Sequence, residues 1–505
     1  MTSIRRSVLA AGLPAAFIVA AATGAAAREP TFPPVEEPVK VTCKGDFDAV
    51  WVDPNKTNRR ATYETFEAAL CRVKPGGTVY VHPHPDKWYK ETVRVAKPNL
   101  RFRPAAGGSA YLAAPAAAEG ASGACFIVEA GGRTIVSNFV FEQGSDVCVD
   151  VRRGGLTLVD TLVLGAEGDN ASIRVSGLGS LDFRGARPAD FGVCLKDATK
   201  SQCRVTNTPS GVGVDAATGS RLALAGLTFA NLSVGVRSSA TTNDISDVTF
   251  RDNETGAIVT DAAIGAEAPP AVSIRGGAFE RNEDGLRLVG SSSGAFRGRV
   301  TIEPSRSGAR VLFQDNDDAV RVAGAGLSQF FAVQGVDFDR NDVALGLPMP
   351  AYAETELQNV VFTRNVSAIS LAGPLNGTLR LIGDTQLSGD KGGGVVIRGG
   401  AGKLDANLAA IGGVEPAFRF DGDFFDYRRV DIVIETAVPK NFIAVSRKSP
   451  FCKLKMNGDR TPATFRGQFE NLRILVNDRG YQYFFGDKWP PGGGALSKAK
   501  KTLCR

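Results

Sequence analysis

The phrase Thr249-Phe250-Arg251-Asp252-Asn253 returns four times downstream, as Phe279-Glu280-Arg281-Asn282, Phe313-Gln314-Asp315-Asn316, Phe338-Asp339-Arg340-Asn341 and Phe362-Thr363-Arg364-Asn365. Each copy places an Asn three residues after a Phe. Six residues after the Phe stands a small residue (Gly256, Gly285, Ala319, Ala344, Ala368), and positions seven and nine are apolar, from Ala257 and Val259 to Ile369 and Leu371. Alternation with a period of two marks a strand with one buried face. Another aliphatic stands five residues before most copies, as Ile245, Ile274, Val333 and Leu357. Successive Phe residues are 29, 34, 25 and 24 positions apart, and self-similarity at such a period marks a stacked repeat whose neighbours bury each other's apolar faces.

At a rise of roughly 3.3 Å per residue, three short strands and three turns use up about one repeat. Copies stacked at the strand spacing of roughly 4.8 Å then form parallel sheets around ladders of Phe and aliphatic side chains. The Asn is read as a turn residue that tolerates left-handed backbone and bonds local backbone groups, with stacked copies able to bond one another. It is not read as a ligand.

The chain opens with Arg5 and Arg6, an apolar run from Val8 to Ala22, and Ala25-Ala26-Ala27, the layout of a signal peptide over residues 1–27. Arg5-Arg6-Ser7-Val8-Leu9 also resembles a twin-arginine export signal. No later apolar run reaches the roughly 18 residues expected of a membrane span. Export to the periplasm or the extracellular space is therefore expected. The 58 Gly against 3 Met and 3 Trp, with 43% hydrophobic residues, suit many turns around a core of small aliphatics and Phe.

Eight cysteines in an exported chain favour disulfides, and pairing near neighbours gives 43–71, 125–148, 194–203 and 452–504. None forms a C-x-x-C pair, so a zinc site is not expected. Formal charge is uneven: residues 420–505 carry +7, residues 28–110 carry +4 and residues 111–419 carry −7. A nucleic-acid binder needs a concentrated basic face with interleaved aromatics, which this distribution lacks.

Residues 28–60, with Pro30, Pro33, Pro34 and Pro38, read as an extended lead-in. Tyr63, Phe66, Ala69 and Leu70 then have helical spacing, and Lys74-Pro75-Gly76-Gly77 ends the helix. Phe66-Glu67-Ala68-Ala69-Leu70, Pro75-Gly76-Gly77-Thr78-Val79-Tyr80-Val81 and Tyr89-Lys90-Glu91-Thr92-Val93 resemble the opening of pectin lyase-like right-handed parallel β-helix proteins. The usual G-x-Y-x-E-x-V phrase lacks its Gly here, where Lys87 stands. The likeness covers roughly residues 60–420. It implies an all-β fold: a single-stranded right-handed parallel β-helix over residues 61–420, about a dozen coils, with an N-terminal helical cap. Residues 421–505 are aromatic-rich and basic, and are read as a C-terminal cap and tail, since solenoids need closed ends.

Enzymes of that superfamily mostly act on polysaccharides along the outer face of the strand after the Asn, whose outward residue is the eighth after the Phe. That position holds Arg237, Ile258, Arg287, Arg321, Gly346 and Ser370, with Arg419 further along. Arg237, Arg287 and Arg321 are the candidate substrate-binding residues, each able to pair in bidentate fashion with a carboxylate of an acidic glycan. Asp252, Asp284, Asp315 and Asp339 lie one turn away and could take the same arginines. Asp315, Asp317, Asp318, Asp339 and Asp342 crowd two turns where a calcium ion is the cofactor to consider; no other cofactor or metal is expected.

No complete catalytic signature is present. The paired aspartates and Gly-His-Gly of polygalacturonase-like hydrolases, and the corresponding phrases of alginate epimerases and pectin esterases, are missing. His82 and His84 are the only histidines, and Gly290-Ser291-Ser292-Ser293-Gly294 lacks the strand–turn–helix setting of a nucleophile elbow. A lyase with Arg or Lys as base needs no histidine. Two functions remain: an exported protein that recognises an acidic polysaccharide and processes it as a lyase, or a non-catalytic structural, envelope-assembly or adhesion protein whose C-terminal segment binds protein partners.

Overall fold

The computed structural model describes residues 45–388 apart from short connecting segments, and beyond them only strands between Val395–Ile397 and Tyr481–Phe485. The signal-peptide segment, Cys43, Cys452 and Cys504 lie outside the described residues. The fold is a parallel β-solenoid of about 11 turns. Each regular coil lays one strand in each of three sheets. The coil that carries Phe250 gives Thr242–Ser246 to the first sheet, Thr249–Arg251 to the second and Thr255–Thr260 to the third. All three pair in parallel with the next coil: Ile245 opposite Ile274, Phe250 opposite Phe279, and Ala257 opposite Leu286.

Register converts the repeated letters into ladders. The first sheet turns inward Leu224, Ile245, Ile274, Ile302, Val333, Leu357 and Leu381. In the Phe313 coil the aliphatic five places upstream is missing because residues 304–310 lengthen the turn, and Ile302 fills the position. The second sheet stacks Phe229, Phe250, Phe279, Phe313, Phe338 and Phe362, with ring centroids 4.6–5.2 Å apart and planes within 18° of parallel. Such offset stacks add to the burial of each ring. They also explain the small residue six places on: a Cβ at Gly256 would lie 3.0 Å from Cδ1 of Phe279 and 2.6 Å from the Gly285 carbonyl oxygen.

The Asn residues form a second buried ladder just outside the Phe stack. Nδ2 of Asn253, Asn282, Asn316 and Asn341 each donates to Oδ1 of the Asn in the next coil, at 3.0, 3.0, 2.9 and 2.9 Å. The same Nδ2 groups also donate back to the Phe carbonyl one coil earlier, for example Asn316 to Phe279 at 2.9 Å. Each Oδ1 accepts, besides, the backbone N–H of the preceding Asn, as Asn282 donates to Asn316 at 3.0 Å. The left-handed residue of the turn is therefore not the Asn, as its turn propensity led us to expect, but the one before it: Asp252, Arg281, Asp315, Arg340 and Arg364, with φ of 55–58°. That residue bends the chain from the second sheet into the third and swings the Asn side chain inward.

Upstream of Phe229 the ladders are less regular. The helix Phe66–Arg72 buries Phe66 and Ala69 in the common core, with Thr65 as its N-cap. The Glu91 carboxylate accepts from the Phe66 N–H at 3.0 Å, and the Tyr89 hydroxyl donates to the His82 carbonyl at 2.7 Å. The phrase Tyr89-Lys90-Glu91 thus latches the helix to the first coils. Burial raises the Glu91 carboxyl above its ordinary range, and the helix N–H groups pull it partly back.

The first sheet begins earlier than the expected boundary at residue 61: Phe47–Val52, within the stretch read as a lead-in, pairs with Val73–Val81. It also continues past 420, through Asp431–Ile434 to Leu472–Val476, which pairs antiparallel with Tyr481–Phe485.

Two of the expected disulfides are present. Cys125–Cys148 joins adjacent rungs, its Cα atoms 4.7 Å apart, just before third-sheet strands that pair in register. Cys194–Cys203 ties the segment after Gly192–Leu195 back to the second sheet, whose outward Leu164, Cys194 and Ala230 are buried. Cys71 is also disulfide-bonded.

Replacing Asn316 by Ala would leave the Asn282 backbone N–H and one Asn282 Nδ2 hydrogen without their acceptor, and would strip one donor each from the Phe279 carbonyl and from Asn341 Oδ1, which keeps the backbone N–H of residue 316. At about 1–3 kcal/mol per buried unsatisfied group, a loss of roughly 2–4 kcal/mol is expected after local relaxation. Urea unfolding would measure it, with Glu254→Gln on the exposed turn as a near-neutral comparison. A loss for Asn316→Ala below about 1 kcal/mol would mean that the ladder is not a structural element.

Candidate functional site

Period-two alternation in the third sheet leaves one residue per coil pointing outward at the centre of each strand. Strand pairing puts these residues in a single column: Arg94, Ile127, Asp150, Arg174, Asp215, Arg237, Ile258, Arg287, Arg321, Gly346 and Ser370, and in backbone register the next positions of the ladder are Val396 and Arg419. Arg287 and Arg321 lie on neighbouring rungs, and Arg237 is separated from Arg287 by Ile258. All three arginines of the sequence reading share this face.

Their charges are not free. Arg237 grips Asp215 of the preceding rung in bidentate fashion, Nε at 3.2 Å and Nη2 at 2.9 Å, and this hydrogen bonding raises the Arg237 pKa further above its ordinary value. Arg287 reaches Asp284 at 3.5 Å, and Arg321 reaches Asp318 at 3.3 Å and Asp284 at 3.8 Å. Asp284 is buried, and burial raises its carboxyl above the usual carboxylate range, partly offset by Arg321 and Arg287. The Nε of Arg287 is buried without a hydrogen-bond partner. These ion pairs are partly exposed, so each contributes modestly, but together they align the arginine stems along the sheet.

The column contains four charged members that the Phe-x-x-Asn phrase could not reveal, Arg94, Asp150, Arg174 and Asp215, all in coils that precede or lack the phrase. Their signal in the sequence is an apolar–charged–apolar triplet, Val93-Arg94-Val95, Val149-Asp150-Val151, Ile173-Arg174-Val175 and Val214-Asp215-Ala216, which is the period-two pattern at its minimum length. Beside them, Glu129 takes Arg152 at 2.9 Å and Arg94 at 3.3 Å, and Arg152 also holds Asp150 at 2.8 Å.

The aspartates of the turns divide into two sets. Those in or next to the left-handed position are paired: Arg281 with Asp252, Arg340 with Asp315 and Arg364 with Asp339, each through two N–H groups at 2.7–3.0 Å. Arg340 holds the Asp315 carboxyl below its usual range. Two residues on, Glu254, Glu283, Asp317 and Asp342 form an exposed column of like charge on consecutive rungs. Among the described residues, no group of three carboxylate, histidine or cysteine side chains is placed to hold a metal ion.

Other faces offer less. The Trp51 and Tyr80 rings stack at 5.3 Å and 12°, and the Arg103 guanidinium lies 4.6 Å over Tyr80. The second Tyr80 face is thus covered, and little ring face remains for a sugar. His84 is engaged locally: its Nδ1 accepts from the Asp86 N–H at 3.1 Å, and its ring packs edge-on against Tyr89.

No protein-family model, curated protein or solved structure matches the chain.

Asp317 tests the electrostatics of the turn column. Partial desolvation at the turn first, then Asp342, Glu283 and Asp284, raise its carboxyl above the usual carboxylate range. A raised folded pKa means that the ionised form costs stability, a cost absent below the unfolded pKa and incurred as pH rises through the folded one. Asp317→Asn is therefore expected to raise the thermal midpoint slightly at pH 7, the gain vanishing below about pH 3.5. An equal gain at both pH values would exclude the electrostatic explanation.

Proposed function

We propose that this chain is an exported β-solenoid that binds an acidic polysaccharide along the outer face of its third sheet. The observation that carries the reading is the single column that sets Arg94, Arg174, Arg237, Arg287 and Arg321 on one face of the third sheet, interleaved with Ile127, Asp150, Asp215 and Ile258. A rung spacing of about 4.8 Å is roughly the length of one pyranose residue in an extended chain, so a polyuronate laid along the axis brings its carboxylates past the rungs that carry these guanidinium groups. A parallel β-solenoid is also compatible with the resemblance to pectin lyase-like proteins read from the opening phrases, although likeness in fold does not by itself carry activity. Disulfides and the absence, among the described residues, of a helix long and apolar enough to cross a membrane are compatible with export.

The chemistry such a face supports is recognition followed by β-elimination. A guanidinium that neutralises a uronate carboxylate makes the neighbouring C–H more acidic; a second basic side chain takes that proton as the C4–O glycosidic bond breaks, the C4–C5 double bond forms and the leaving oxygen takes a proton from water. A second reading, a non-catalytic structural or envelope-assembly protein, is favoured by the ion pairs that already occupy Arg237, Arg287 and Arg321.

Binding of the full chain to polygalacturonate and alginate, titrated with salt, separates the two. Salt-sensitive binding that weakens about threefold or more in an Arg287→Ala/Arg321→Ala variant is expected, and a rise in the ultraviolet absorbance of unsaturated uronate products would identify a lyase. Equal binding by variant and parent would remove these two arginines from the site. Absence of binding to any uronate polymer would favour the structural reading.

A further inference from the structure

Arg174 occupies an unusual place in the arginine column. It lies in register between two aspartates, Asp150 on one rung and Asp215 on the next, the arrangement in which a cross-strand ion pair normally forms. Both aspartates are held by other arginines. Arg152 takes Oδ2 of Asp150 through its Nε at 2.8 Å, and Arg237 takes both oxygens of Asp215 from the far side. Among the described residues Arg174 has no hydrogen bond and no ion pair, although it is half-buried. Arg237, Arg287 and Arg321, by contrast, each have a carboxylate within 4 Å.

The facing carboxylate is incomplete as well. Asp150 is 4% exposed, and its Oδ1 is buried with no hydrogen-bond partner. A buried carboxylate oxygen without a donor is costly, and so is a half-buried guanidinium without an acceptor. Arg174 stands one rung from this buried carboxylate and is partly exposed, so its guanidinium is open to the acceptor that a polar ligand would supply.

We propose that Arg174 is the centre of the subsite of the third sheet that recognises one uronate residue, with the ligand carboxylate accepting from the Arg174 guanidinium. The proposal rests on the glycan-binding reading and sharpens it. The ligand class is a sugar acid with an unesterified carboxylate, because the subsite offers one fixed cation without an internal counter-charge. Arg152 keeps the Asp150 carboxylate oriented, and Arg237 holds Asp215 away from Arg174. The other column arginines contact the chain of sugars through donors left over from their internal pairs, so they contribute less per residue.

The test is calorimetric titration of the full chain with oligogalacturonate and with its methyl ester, using the parent, Arg174→Ala, Arg174→Lys and the Arg287→Ala/Arg321→Ala variant. A charge-assisted bidentate contact predicts that Arg174→Ala weakens binding about tenfold or more, and more than the double variant does. Arg174→Lys falls between parent and Ala, because an ammonium keeps the charge and loses the fork. The methyl ester binds the parent about as weakly as the acid binds Arg174→Ala. Because Arg174 has no internal partner, its Ala variant keeps the parent's thermal midpoint, which separates lost binding from lost fold. Parent-like affinity in Arg174→Ala, with the parent binding well, overturns this subsite and leaves the wider glycan reading standing. Failure of the parent to bind any uronate oligomer removes both.

Discussion

A primary amide has two donor hydrogens and a carbonyl with two lone pairs, and the ladder asparagines use nearly all of this capacity inside the protein. Asn316, for example, donates to the Phe279 carbonyl and to Asn341 Oδ1, and accepts from the backbone and side chain of Asn282. Each bond links one coil to another. A shift of one rung by a single residue would break the amide chain and also expose a Phe, because side chains alternate with a period of two. The ladder therefore fixes the register of the second and third sheets together. The Phe stack, the small residue that accommodates the next ring and the outward arginine column all depend on that register.

Charge is arranged around this core by the same stacking. Where opposite charges fall on neighbouring rungs they pair, as along Asp252, Arg281, Asp315, Arg340 and Arg364 with Asp339. Where like charges fall together, as in Glu254, Glu283, Asp317 and Asp342, they remain at the exposed turn. The net −7 of residues 111–419 consequently does not describe the face that carries the arginines: much of the acidity stands at the turns. An average over the chain conceals a surface organised column by column.

The coils before Phe229 are held differently. The ladder position after Phe229 is Leu232, whose backbone N–H still donates to Asn253 Oδ1 at 3.0 Å, so the amide chain ends there. Upstream, longer turns between the second and third sheets carry the disulfides Cys125–Cys148 and Cys194–Cys203. Cys125–Cys148 links two rungs covalently where no amide ladder does, and Cys194–Cys203 closes a loop within one coil. The freedom this gives to turn length also removed the fixed Phe-to-outward-residue spacing, and for that reason Asp150, Arg174 and Asp215 were invisible to a count of eight from a Phe.

The sequence alone determined that the chain is a stacked solenoid, which residues fill its core and where the regular coils lie, because burial imposes periods of two and of about 25 that survive as letters. It also carried the outward position of Arg237, Arg287 and Arg321. What only the tertiary structure decided is which charges meet. Asp215 and Arg237 are 22 residues apart, and Asp150 and Arg174 are 24 apart with the same chemistry in the same register, yet one pair closes and the other stays open. That outcome depends on which side of each carboxylate a third side chain, Arg152 or Arg237, has already taken, and such three-body geometry exists only after the coils are stacked.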